Sequence, residues 1–231
     1  MSIAEKFEVI ADEVYEKGRQ DEWSDFWDAF QWNGTRGNYI YGFARWNQEY
    51  ARPKYKVIPT SSADHLFVGS GKLKKIESKY FDLSQVPYVA NGGASGYASA
   101  FNGCTELEEI EDLNFAPSTY NAAFAYSKNL HTIARVVVDE KVTFIDAFMR
   151  TEKLTNISFD GVIGKDIDFR YSPLLTDASL ENIAQHLKDF SPEWKEGDGN
   201  KAIITLHATV KERIKNTEIE NLIKSKKWGI A

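Results

Sequence analysis

The large apolar residues of this chain recur in one fixed internal register. A phenylalanine is followed by a leucine six residues later and an isoleucine nine residues later: Phe67, Leu73, Ile76; Phe101, Leu107, Ile110; Phe124, Leu130, Ile133; Phe148, Leu154, Ile157. A weaker copy runs Phe169, Leu175, Ala178. The third residue after each phenylalanine is small (Ser70, Cys104, Ser127, Thr151, Ser172), and alanine precedes it at Ala100, Ala123 and Ala147. Successive phenylalanines lie 34, 23, 24 and 21 residues apart. A period of this length predicts stacked coils. Each unit buries about three large apolar side chains, worth about 1.5–3 kcal/mol apiece, while ordering its backbone costs about 1–2 kcal/mol per residue. No unit folds alone, so neighbours must share their faces in one continuous core.

Within a unit, Leu-x-x-Ile followed by alternating apolar residues predicts a short strand. In the third copy Leu130, Ile133 and Val136 lead to Val138, a turn at Glu140-Lys141, and then Val142 and Ile145. The small residue falls where successive coils approach closely, which makes Cys104 a packing residue; a reactive thiol needs an exposed, electropositive setting. The longest phenylalanine spacing contains the glycine-rich run from Asn91 to Gly96, a loop signature. Such insertions map to surface loops and sometimes to binding faces.

A stack must cover its terminal faces. Ile3, Phe7, Ile10 and Val14 fall on one stripe of a helix, and after Gly18 a second helix presents Trp23, Phe26, Trp27 and Phe30. This aromatic segment is read as a cap. The alternatives are a sugar-stacking surface at Trp32, Tyr39, Tyr41 and Trp46, and, for the first stripe, a seam between copies in a homo-oligomer. Phe43, placed 24 residues before Phe67, is positioned for a degenerate first coil. After Pro173 the period stops. Thr176 reads as the N-cap of a helix carrying Leu180, Ile183, Ala184 and Leu187. A loop over 191–200, a strand at Ile203–Leu206, a helix from Val210 to about Lys224 and a strand at Trp228–Ile230 follow. The expected organisation is one continuous unit: a helical, aromatic cap over 1–60, a solenoid over 61–175, and an α-β-α cap over 176–231.

At these residues the chain resembles the BspA-type leucine-rich repeat. The stretch from Phe124 through Val142, Thr143 and Ile145 to Ala147-Phe148 matches the whole unit, and the resemblance covers about 61–178. It implies an α/β repeat solenoid of short parallel strands. Ser70, Ser127 and Thr151 stand where the family often has cysteine; the position needs only a small side chain. Two further stretches look like a subgroup of such proteins from phages and prophages of Gram-positive bacteria. They are 22–60, with Phe26-Trp27-Asp28-Ala29-Phe30-Gln31 and Arg52-Pro53-Lys54-Tyr55, and 160–174, from Asp160 through Gly164 to Ser172-Pro173-Leu174. That likeness implies association with tail or baseplate regions.

Composition narrows the function. A net charge of −6 argues against sequence-independent binding to nucleic acid or anionic membrane, and no apolar run reaches the length of a membrane span. One cysteine excludes an intrachain disulfide. The first 18 residues lack the apolar core of a signal peptide, so the expected location is the cytoplasm as synthesised, or a virion assembled there. His65, His131, His186 and His207 fall in different elements without metal-ligand spacing. Gly93-Ala94-Ser95-Gly96 misses the nucleophile elbow because Tyr97 stands in place of its last glycine. No cofactor is expected and no catalytic residue assigned. Strand alternation instead turns Lys75, Glu77, Glu109, Glu111, Thr132, Ala134, Asn156 and Ser158 onto one face, which the resemblance to leucine-rich repeats implies is the concave one, charged at one end and small and polar at the other. The expectation is a non-enzymatic binding or structural protein, associated with a phage tail or host recognition, whose protein or carbohydrate ligand is not named by the sequence. A bacterial surface-adhesion or intracellular interaction module is the alternative, and a hydrolase with its site in the 85–100 loop the remote one.

Overall fold

The computed structural model describes residues 46–52, 56–59, 62–86, 96–116 and 119–231. Most of the expected N-terminal cap, with Trp32, Tyr39 and Tyr41, lies outside the described residues, as does most of the 85–100 loop. What is described is a mixed α/β arrangement of two parallel sheets and a few helices.

The first sheet has the order β1 (Lys75–Ile76), β2 (Glu109–Ile110), β3 (Thr132–Val138), β4 (Asn156–Gly161). Its register is that of the sequence period: Lys75, Glu109, Thr132 and Asn156 form one row, and Ile76, Ile110, Ile133 and Ile157 the next. The isoleucines point inward and are buried. Between Ile133 and Val136, β3 carries one residue more than β4, a bulge that lets the longer strand bend around the core. Of the acidic residues around Ile110 (Glu108, Glu109, Glu111 and Asp112), only Glu109 lies in a strand.

Each strand is preceded by a tight turn that drives its phenylalanine inward. The residues two before and two after it are left-handed: His65 and Gly69, Ser99 and Gly103, Ala122 and Tyr126, Asp146 and Arg150. The turns themselves pair across the stack, Phe67 N donating to Ala100 O at 2.7 Å, Phe101 N to Ala123 O at 2.7 Å, and Phe124 N to Ala147 O at 3.0 Å. The rings of Phe67, Phe101, Phe124, Phe148 and Phe169 stack with successive centroid spacings of 5.8, 5.8, 5.5 and 4.5 Å. A second ladder, Tyr97, Tyr120 and Phe144, runs beside it at 5.2 and 5.6 Å. The first sheet also continues past β1, where Tyr50 bridges Lys75 in parallel and Lys74 N donates to Glu49 O at 2.9 Å.

The second sheet has the order β5 (Ile167–Phe169), β6 (Ala202–Leu206), β7 (Trp228–Ile230), again parallel. Three helices accompany it: α1 (Asp177–His186), α2 (Ala208–Ile214) and α3 (Glu218–Ser225). Thr176 caps α1 as expected, its hydroxyl accepting from Ser179 N. The single helix expected from Val210 to Lys224 is two. Asn216 adopts φ 62° and Thr217 caps a new start, which reverses the chain between α2 and α3. β5 falls inside the range expected to belong to the repeats, yet it pairs with β6 from the C-terminal segment. The two segments therefore share a sheet.

The repeat strands stop at β4, whose open edge is covered by a helix. Side chains on one face of α1 take the place of a neighbouring backbone. Ile157 N donates to Ser179 Oγ at 3.0 Å and Phe159 N to Asn182 Oδ1 at 2.7 Å, while Asn182 Nδ2 returns a bond to Phe159 O at 3.3 Å. His186 Nδ1 lies 2.7 Å from Gly161 O, and since a carbonyl only accepts, this nitrogen carries the proton. Ser179, Asn182 and His186 recur at helical spacing against alternate residues of the strand, so one helix face serves a period of two. An exposed strand edge is thereby removed.

Candidate functional site

The face formed by the outward residues of β1 to β4 divides into two halves. At the β1–β2 end the charges pair with each other. Lys75 Nζ lies 2.8 Å from Glu111 and 3.1 Å from Glu109. The bonds to Glu111 and then Glu109 raise the ammonium pKa. Lys75, together with Ser78 N, holds the Glu111 carboxyl below the ordinary range. Burial pushes the Glu77 carboxyl upward, but Arg52 at 2.7 Å and Lys79 at 3.2 Å outweigh it and the net direction is down. One step along, Arg135 of β3 reaches Asp112 at 3.1 Å, Asp160 of β4 at 3.0 Å and the Asn114 side chain at 2.9 Å. These ion pairs are partly exposed and contribute little stability each. They do tie the charges of this half to one another, with one carboxylate in excess because Lys75 is shared between Glu109 and Glu111.

The other half is uncharged. Thr132, Ala134, Asn156 and Ser158 border an open depression of about 260 Å³ with Ala178, Ser179 and Asn182 of α1 as its far wall. Most polar groups here have structural partners. Thr132 Oγ1 meets His131 Nδ1 at 3.1 Å, Asn156 Nδ2 donates to Thr155 Oγ1 at 3.1 Å, and Ser179 and Asn182 hold the edge of β4. The Ser158 hydroxyl makes no hydrogen bond among the described residues. Alanine methyls and the Ser158 hydroxyl therefore face the opening. The structure brings Thr132, Asn156 and Ser158 together at one depression. Lys75, Glu77, Glu109 and Glu111 are tied into the salt-bridge half. The contribution of α1 was missed by the repeat, because the helix begins where the period ends.

Trp46, the member of the aromatic candidates that is described, is half-buried against the core. Its indole N–H donates to Tyr50 O at 3.2 Å and its backbone N–H to Ser70 Oγ at 2.9 Å. Cys104 is fully buried; burial pushes its thiol up to about 12, and Sγ donates to Phe67 O at 3.1 Å. Among the described residues no group of His, Cys, Asp or Glu is placed to hold a metal ion, and no helix is long and apolar enough to cross a membrane. In comparisons with known proteins, the chain matches no family model, no curated protein and no solved structure.

Proposed function

We propose that the chain is a non-enzymatic binding or structural protein, a BspA-type leucine-rich-repeat solenoid over 61–175, that contacts its ligand through the uncharged end of the strand face. The observation that carries the reading is the division of that face. Lys75 is held between Glu109 and Glu111 at one end, whereas Ser158 and the methyls of Ala134 and Ala178 line an uncharged depression at the other. A contact there is small and neutral, and specificity comes from shape and a few hydrogen bonds. Association with a phage tail or with host recognition rests on the sequence resemblance at 22–60 and 160–174.

The test uses labelled protein on an array of neutral glycans, with Ser158→Trp and Ala134→Trp as blocked variants. Binding that both tryptophans abolish, and that Lys75→Ala leaves intact, supports the site. No binding at high protein concentration removes the carbohydrate form of the proposal, and binding indifferent to both tryptophans removes the site. A gene lying among virion genes supports the phage form; one among housekeeping genes counts against it.

A further inference from the structure

We propose that Asp64 makes the seam between the first and second turn segments pH-sensitive, tight in acid and loosened toward neutral pH. The seam is a backbone ladder: Ala63, His65, Phe67 and Gly69 donate to the carbonyls of Gly96, Ala98, Ala100 and Asn102 at 2.7 to 2.9 Å. Asp64 sits in its middle with 0% of its surface exposed. Its Oδ1 accepts from Ala98 N at 2.8 Å, while Oδ2 has no partner among the described residues. Ser62 Oγ closes the end of the seam, accepting from Asp64 N at 3.0 Å and Gly96 N at 3.4 Å.

The same molecule contains the uncharged counterpart. Asn121 stands three residues before its phenylalanine, as Asp64 does, and its Oδ1 accepts from Ile145 N at 3.0 Å across the third seam. It also accepts from Thr143 Oγ1 at 3.0 Å. A neutral amide thus makes the bond that this position requires. What Asp64 adds is a carboxyl whose charge is buried without a counter-ion among the described residues. Burial pushes that carboxyl up to about 6, against the downward pull of Ala98 N–H and Ser62. The folded seam therefore holds a proton between pH 3.8 and about 6 that the unfolded chain has released. Its stabilising effect is complete below that window and is lost as pH rises through it.

Two other titratable groups belong to the paired segments. Burial holds the His65 imidazole toward its neutral form, so acid acts against the seam there. The Tyr97 hydroxyl donates to Leu83 O at 2.7 Å and accepts from Ala116 N at 2.9 Å; burial raises its pKa far above the window. Only His65 competes with Asp64, and with the opposite sign.

Hydrogen exchange of the intact chain from pH 4 to 7.5, corrected for intrinsic base catalysis, tests the proposal. Protection of the His65 and Phe67 amides is expected to fall by up to about tenfold per pH unit between pH 4 and 6, then level off. The Tyr120 and Ala122 amides, which cross the Asn121 seam, stay constant. Asp64→Asn keeps the Ala98 bond and leaves only the opposite slope of His65. Three results overturn the proposal: protection that is flat with pH, an unchanged slope in Asp64→Asn, or Tyr120 and Ala122 following His65.

Discussion

Cys104 donates from Sγ to Phe67 O at 3.1 Å, and Ser127 from Oγ to Phe101 O at 2.7 Å. The residue after the second and third phenylalanine turns is thus a donor into the preceding layer, as well as a small side chain. Thr151 keeps the donor but turns it to its own Phe148 O at 2.7 Å and meets Ser172 Oγ at 2.9 Å. The repeat shows the size requirement plainly. The donor was also legible, because no copy has alanine or glycine there, but an argument from size alone passes over it. Ser127→Cys is expected to fall within about 0.5 kcal/mol of wild type, and Ser127→Ala to lose about 1 kcal/mol, read from urea midpoints. A second residue-scale contrast concerns glycine. Gly103 has φ 74°, but Tyr126 and Arg150 hold the equivalent position at 61° and 62°, and a methyl on Gly103 would meet the Gly69 backbone at ordinary van der Waals distance, 3.6 Å. At Gly161, with φ 110°, a methyl would overlap the Val138 carbonyl oxygen. Gly103→Ala is expected to cost about 1 kcal/mol, whereas Gly161→Ala costs more than about 3 kcal/mol or prevents folding. Equal midpoints for the two variants would show that the backbone near Gly161 yields.

Among the elements, α1 depends on polar contacts that the hydrophobic pattern does not announce. Its inward residues Leu180, Ile183 and Ala184 follow the helical period, and Thr176 reads as a cap from sequence alone. Ser179 and Asn182 look like ordinary exposed positions of a helix until β4 is placed beside them. Lys226 is equally silent. Its Nζ donates to the carbonyls of Ala184, Gln185 and Leu187 at 2.9, 2.6 and 2.9 Å, closing the C-terminal end of α1 from 39 to 42 residues away. A cation here answers both the free carbonyls and the negative end of the helix. Lys226→Met is expected to destabilise by about 2 kcal/mol, lowering Tm by roughly 4–8 °C for a chain of this size. A melt unchanged within a degree would mean that water replaces the ammonium. The break at Asn216 and the Tyr97, Tyr120, Phe144 ladder were hidden for different reasons. The first depends on a left-handed residue inside a helical pattern. The second repeats at four residues before each phenylalanine, where the first copy has Ala63 and obscures the period.

For the whole molecule, the stack and the C-terminal segment are joined three times. Phe169 stacks on Phe148 at 4.5 Å, β5 pairs with β6, and α1 lies along β4. The period in the sequence shows where layers repeat but carries no information about what terminates them, since the terminating contacts are made by non-repeating residues. If α1 is what ends the stack, a chain cut after Leu175 leaves the amides of Ile157 and Phe159 without acceptors and strips β5 of its partner strand. A parallel edge with apolar neighbours then faces solvent, the arrangement through which sheets associate. Residues 1–175 are expected to form higher-order species by light scattering at concentrations where the full chain does not. Ser158→Lys placed in the same truncated chain should reduce that association, because a charge on an edge strand opposes pairing. The intermediate case is Ser179→Ala combined with Asn182→Ala in the full chain. It keeps the apolar contacts of α1 but loses about 2–4 kcal/mol, as two buried N–H groups lose their acceptors. Its β4 amides should exchange faster while the chain stays the size of wild type. A truncated chain that remains the size of one copy, with β4 protected as in the full protein, would show that the stack closes itself without α1.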